Sequence, residues 1–85
     1  MRAVISVLGK DRVGIIAGVS TVLAECNVNI LDLSQTIMQD IFTMVMLVDV
    51  SKATISFADL AGRLDGKGQE LGLLVRIQHE DIFNS

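Results

Sequence analysis

The feature that most constrains this chain is a change of hydrophobic period across Gly9-Lys10-Asp11-Arg12-Val13-Gly14. Before it, residues 2–8 (Arg2-Ala3-Val4-Ile5-Ser6-Val7-Leu8) form a short β-branched, apolar run that reads as a strand ended by Gly9. After it, Ile15, Ile16, Val19, Val22, Leu23 and Cys26 recur at helical spacing within 13–26, with Ser20, Thr21 and Glu25 on another face. A strand therefore turns directly into an amphipathic helix through a loop bounded by glycines.

The rest of the chain repeats that alternation. Asn27-Val28-Asn29 ends the helix, because Asn tolerates the left-handed conformation that helix exits use. A second strand is expected at 30–38, a tight turn at Gln39-Asp40 and a third strand at 41–50, so these two strands pair as a hairpin. Ser56 followed three residues later by Asp59 resembles a capping box and opens a second helix, with Phe57, Leu60, Ala61, Leu64 and Leu71 on its apolar face. Gly62, Gly66 and Gly68 weaken that helix by about 1 kcal/mol each relative to Ala, so it depends on packing. Gly72 ends it, residues 73–79 form the last strand, and the tail 80–85 carries Ile82 and Phe83, able to pack back or reach a partner.

The order βαββαβ predicts an α+β, ferredoxin-like fold over residues 1–85 as one domain: a four-stranded antiparallel sheet with both helices on one face. In the third strand Phe42, Met44, Met46 and Val48 alternate with Ile41, Val45 and Leu47, so both faces are apolar where an uncovered face should be polar. Part of the open face is therefore expected to be buried in a homodimer. Size points the same way. A chain of 85 residues buries only about 60–65% of its unfolded surface, and its single cysteine, Cys26, rules out an internal disulfide. Association is the remaining common route to more burial.

Composition narrows the partners. A net charge of −3 with 4% aromatic residues repels a phosphate backbone and excludes nucleic acid as a natural ligand. No apolar run approaches the roughly 20 residues that span a membrane, and no leader sequence is read at the N-terminus, so the expected setting is cytoplasmic. One Cys and one His, Cys26 and His79, supply no metal set, and no cofactor is expected. Both fit structural roles, as do Met38, Met44 and Met46 as apolar filler.

The chemistry concentrates in the first loop. Gly9 and Gly14 allow a tight turn and close approach of a ligand to the backbone. The helix N-terminus that follows favours a carboxylate or phosphate. Asp11 beside it accepts from an ammonium group, and Asn29 adds donors and acceptors. Together they suit a free α-amino acid. Structural readings stand beside these: Gly14 as a close-packing residue, Asp11 as a helix cap, Asn29 as a strand-entry residue satisfying local backbone, and Lys10, Arg12 and Asp32 as solvated charges.

Leu8-Gly9-Lys10-Asp11-Arg12-Val13-Gly14-Ile15-Ile16, followed by Asn27-Val28-Asn29-Ile30-Leu31-Asp32, resembles the ACT domain family across essentially the whole chain. It is similar to the short free-standing members and to the leading modules of the glycine-cleavage repressor and formyltetrahydrofolate deformylase. The resemblance implies a regulatory βαββαβ module without catalytic activity. It would bind a small-molecule effector, often an amino acid, at a subunit interface and act on an enzyme or regulator. It assigns ligand contact to Asp11, Gly14 and Asn29, with Arg12 and Val13 in the same loop. Val13 stands where the family often has Pro, and Gly9 where some serine-binding relatives place His, which points away from serine.

Two other classes remain open. One is an interaction protein that keeps the fold without a ligand. The other is an enzyme of acylphosphatase type, for which Arg12 in this loop invites comparison, although Asp11 would repel the anion and the glycine-rich signature is missing.

Overall fold

In the computed structural model, which describes residues 1–83, the chain runs β1 (Arg2–Lys10), α1 (Ile15–Glu25), β2 (Asn29–Met38), β3 (Ile41–Asp49), α2 (Phe57–Leu71) and β4 (Leu73–His79), then a short 3-10 turn at Glu80–Phe83. The four strands form one antiparallel sheet in the order β2-β3-β1-β4. This is the expected ferredoxin-like arrangement. No helix among the described residues is long and apolar enough to cross a membrane.

Strand alternation sorts the side chains. Ala3, Ile5 and Val7 of β1, Phe42, Met44, Met46 and Val48 of β3, and Leu73 and Val75 of β4 are buried on one face. They pack against Ile15, Val19, Val22 and Leu23 of α1 and Leu60 and Leu64 of α2, which places both helices on that face. Burying each such aliphatic side chain contributes about 1.5–3 kcal/mol. Cys26 lies in this core, 1% exposed, with its sulfur 3.0 Å from an Arg63 nitrogen. Met44 and Met46 are core residues as expected, whereas Met38 is 59% exposed. His79 stacks on Phe57 with ring centroids 3.9 Å apart.

The local signals operate as their chemistry requires. Asn27 adopts φ +57° at the exit of α1. The Ser56 hydroxyl accepts from the Asp59 N–H at 3.1 Å, and Gly72 closes α2 at φ +73°. Gln39 turns the β2–β3 hairpin at φ +57°. Boundaries shift by one or two residues. The helix expected over 13–26 is Ile15–Glu25, because the loop takes Val13 and Gly14. The first strand continues through Gly9 to Lys10 instead of stopping at residue 8.

Gly9 is thus a strand residue and not a turn. A Cβ there would lie 2.6 Å from Leu73 Cδ2 and 3.3 Å from the Gly72 carbonyl oxygen. Gly68 plays the same part where α2 meets β4, since a Cβ would come within 2.8 Å of the Leu73 carbonyl oxygen. Ile82 is 56% exposed, and the Phe83 side chain lies outside the described residues.

Candidate functional site

The loop between β1 and α1 is held from both sides. The Asp11 N–H donates to the carbonyl of Asp40 in the hairpin turn at 2.8 Å, and Arg12 donates to the carbonyl of Leu71 at 3.1 Å. Gly14 is the N-cap of α1 at φ +94°, and no side chain caps the helix. Space around Gly14 is open, with nothing within 4 Å of an added Cβ, so its backbone angle and not close packing calls for glycine. The first intrahelical bond is Gly18 N–H to the Gly14 carbonyl. The preceding N–H groups of the first turn therefore have no intrahelical acceptor.

Asp11 does not cap the helix. Its carboxylate is exposed and has no hydrogen-bond or ion-pair partner among the described residues. Beside it lies an open cleft of about 290 Å³. The loop contributes Asp11, Arg12 and Gly14, and the first turn of α1 contributes Ile15, Ile16 and Ala17. Gln35 and Ile37 of β2 and Phe42 of β3 complete the lining. Val13 projects from the loop and is 96% exposed. Gln35 and Ile37 were not anticipated from sequence. The available signal was Ile37, a branched apolar residue in a strand whose every position is exposed.

Asn29 is elsewhere. It pairs with Asp49, which pairs with Arg2 at the start of β1. Asp11 follows Lys10, which pairs with Ile41, the partner of Met38. The two residues thus stand at opposite ends of β2, roughly 30 Å apart at about 3.3 Å per residue. Within one chain the structure does not bring them together.

Asn29 borders two clefts of its own. One, of about 420 Å³, runs between α1 and β2 and is lined by Ser20, Leu23, Val28 and Ile30 among others. The other, of about 330 Å³, includes Asn27, Asp49, Ser51 and Lys52. In that second cleft the Asp49 carboxyl is held below the usual carboxylate range, chiefly by the Ser51 N–H at 2.9 Å and then by the Ser51 hydroxyl. The N-terminal ammonium, 3.6 Å away, acts in the same direction.

Two groups of exposed aliphatic residues lie on the sheet and its edge. On the open sheet face Leu8, Ile41, Val45 and Leu74 are 46–49% exposed, but the register sets them among Ser6, Thr43, Ser34, Thr36 and Arg76. Polar residues from all four strands therefore dilute the apolar face expected from Ile41, Val45 and Leu47 of β3. Asp32 belongs to this face, opposite Leu47, and its carboxylate accepts the Leu33 N–H at 2.8 Å beside a bulge. The second group follows the α1–β2 edge: Ile16, Ile30, Leu31, Leu33 and Ile37, each 36–50% exposed. It joins the Asp11 cleft to the Asn29 cleft along an edge strand with unpaired backbone groups.

The chain matches the ACT domain family over residues 2–78. A UPF0237 protein of Clostridium acetobutylicum is 59% identical over 85 residues, covering 100% of this chain and 96% of that protein. An ACT domain protein from Streptococcus pneumoniae superimposes with a TM-score of 0.86 at 41% identity, covering 100% of this chain and 96% of that one. A formyltetrahydrofolate deformylase from Pseudomonas syringae matches 92% of this chain with 27% of its own length, at a TM-score of 0.83 and 25% identity.

Proposed function

This chain belongs to the ACT domain family, and we propose that it is a non-catalytic regulatory module that binds a small metabolite, an amino acid, at the interface of a homodimer. The observation that carries this reading is the placement of the Asp11 and Asn29 clefts at the two ends of one exposed aliphatic edge. A second copy laid antiparallel along β2 about a two-fold axis sets the Asn29 end of each chain against the Asp11 end of the other. Two identical composite sites follow, each with a loop from one protomer and a strand entry from its partner.

The chemistry of such a site matches a free α-amino acid. Asp11 accepts from the ammonium group, and the uncapped first turn of α1 donates to the carboxylate. Asn29 of the partner subunit adds donor and acceptor. A ligand that spans two chains favours the arrangement in which both halves meet, and its differential affinity is the regulatory signal. An enzyme or regulator that contacts one arrangement then reads that signal. Arg12, drawn to the Leu71 carbonyl, gives little support to an acylphosphatase-like role.

The test joins two measurements. Sedimentation at micromolar concentration is expected to give a dimer. Titration calorimetry against the twenty amino acids is expected to give saturable binding of two ligands per dimer, lost in Asp11→Ala. A monomer, or no binding by any amino acid up to millimolar concentration, overturns the reading in favour of an interaction module without a ligand.

A further inference from the structure

The open sheet face lies away from the α1–β2 edge, and its cross-strand rows have an internal order. Across β2-β3-β1-β4, one row is Thr36-Thr43-Leu8-Leu74. The next is Ser34-Val45-Ser6-Arg76, and the third is Asp32-Leu47-Val4-Gln78. In the first row two threonines occupy the β2–β3 half, and two leucines, 47% and 49% exposed, occupy the β1–β4 half. From this order we infer that the face takes a second copy of itself, turned about a two-fold axis that runs along the strands between β1 and β3.

Such an axis lays β1 over the partner's β3 and β4 over the partner's β2, with the sheets about 10 Å apart and their strands within about 30°. Each row then meets its own reverse. Leu8 lies over the partner's Thr43, Leu74 over the partner's Thr36, and Val45 over the partner's Ser6. Large side chains meet small ones, the alternation by which packed layers interdigitate without voids. Val4 lies over the partner's Leu47, apolar on apolar. Charge agrees with shape. Arg76 has no ion pair or hydrogen bond among the described residues. It stands over the partner's Ser34, roughly 7 Å along the strand from the partner's Asp32, and Gln78 stands over the partner's Asp32. An axis across the strands through the middle row would instead set Arg76 on the partner's Arg76, and like charges there repel.

Area sets the strength of the contact. Four strands and a nine-residue β3 offer roughly 500 Å² per copy in projection, less than the roughly 800 Å² per partner of a stable interface. The association is therefore weak and concentration-dependent. It adds to an association along β2 instead of competing with it, because one uses the edge of the sheet and the other its open face.

The experiment is sedimentation equilibrium of the full chain from micromolar to millimolar concentration. The mass is expected to rise above its micromolar value, and to rise less in high salt, which screens Arg76 from Asp32. Val45→Asp places an unpaired carboxylate in the contact and is expected to weaken it at least about ten-fold; circular dichroism confirms its fold. Leu8→Thr removes apolar burial and Thr43→Leu crowds leucine on leucine, so each is expected to weaken the contact about ten-fold. The double swap restores leucine over threonine across the axis and is expected to return to within about three-fold of the natural chain. A mass that stays constant overturns the inference and leaves the face to a partner of another kind. A rise that Val45→Asp leaves unchanged places the self-association elsewhere and overturns it as well. Tighter association of Thr43→Leu alone, or a double swap no better than Leu8→Thr, overturns the pairing of leucine with threonine and with it the axis.

Discussion

The Arg12 guanidinium donates to the main-chain carbonyl of Leu71, 3.1 Å away and 59 residues later in the chain. Leu71 is the last residue of α2, so the β1–α1 loop at the start of one helix is tied to the C-terminal end of the other. A cation at that position meets both an orphan carbonyl and the negative end of the helix dipole. The Asp11 N–H bond to Asp40 anchors the same loop to the β2–β3 hairpin. Two distant turns thereby hold a loop that contains no proline.

Arg12→Ala is expected to lower stability by about 0.3–1 kcal/mol, the range of a surface cation at a helix C-terminus. Urea unfolding of the two proteins measures it. In 1 M salt, where the screening length is about 3 Å, the gap is expected to shrink. A gap that is unchanged by salt would assign the effect to side-chain packing instead.

Glycine-to-alanine substitutions within α2 are expected to differ in sign. An added Cβ at Gly62 or Gly66 meets nothing within 4 Å, so each substitution gains up to about 1 kcal/mol of helix propensity. At Gly68 the Cβ would stand 2.8 Å from the Leu73 carbonyl oxygen and 2.9 Å from Val75 Cγ2. Gly68→Ala therefore forces α2 away from β4 and is expected to cost about 1–3 kcal/mol. Denaturant midpoints of the three variants decide the matter.

Asp49 supplies a pH-dependent contribution. Its carboxyl is lowered in the folded chain, first by the Ser51 N–H and then by the Ser51 hydroxyl. The unfolded chain therefore binds the proton more readily, and the contribution is complete above the ordinary carboxylate range, about pH 4. It is lost as pH falls through the lowered folded value. The stability difference between the natural chain and Asp49→Asn, followed by urea unfolding across acidic pH, is expected to narrow below about pH 4. A difference that is constant with pH would detach the effect from ionisation.

Local chemistry was legible in the sequence, and long-range geometry was not. Ser56 with Asp59, Asn27 and Gly72 act within a few residues of themselves, so their spacing alone sufficed. Gly9 looked like a turn because its reason, Leu73, lies 64 positions away and meets it only through the β1–β4 pairing. The open face looked uniformly apolar because β3 alone was read; Ser6 and Ser34 flank Val45 only once the strand order is known. Asp11 and Asn29 were both identified as candidates, but their separation along β2 depends on the parallel course of β1 and β2 on either side of β3. That same separation is what the proposed dimer bridges.

The middle of β2 offers the sharpest test of the proposed dimer. Leu33 is 36% exposed and pairs with Met46 on the helix-bearing side of the sheet. It lies midway between Asn29 and Met38, close to where a two-fold axis relating antiparallel β2 strands would pass. Residues near such an axis meet their own copies. Leu33→Asp therefore places two carboxylates side by side in an apolar seam, where like charges cost several kcal/mol. The variant is expected to sediment as a monomer with an unchanged far-ultraviolet spectrum, because Leu33 is not part of the buried core. Val45→Asp, on the opposite face of the sheet, is expected to leave the dimer intact. The reverse pattern would move the interface to the open face, away from both the Asp11 and the Asn29 clefts.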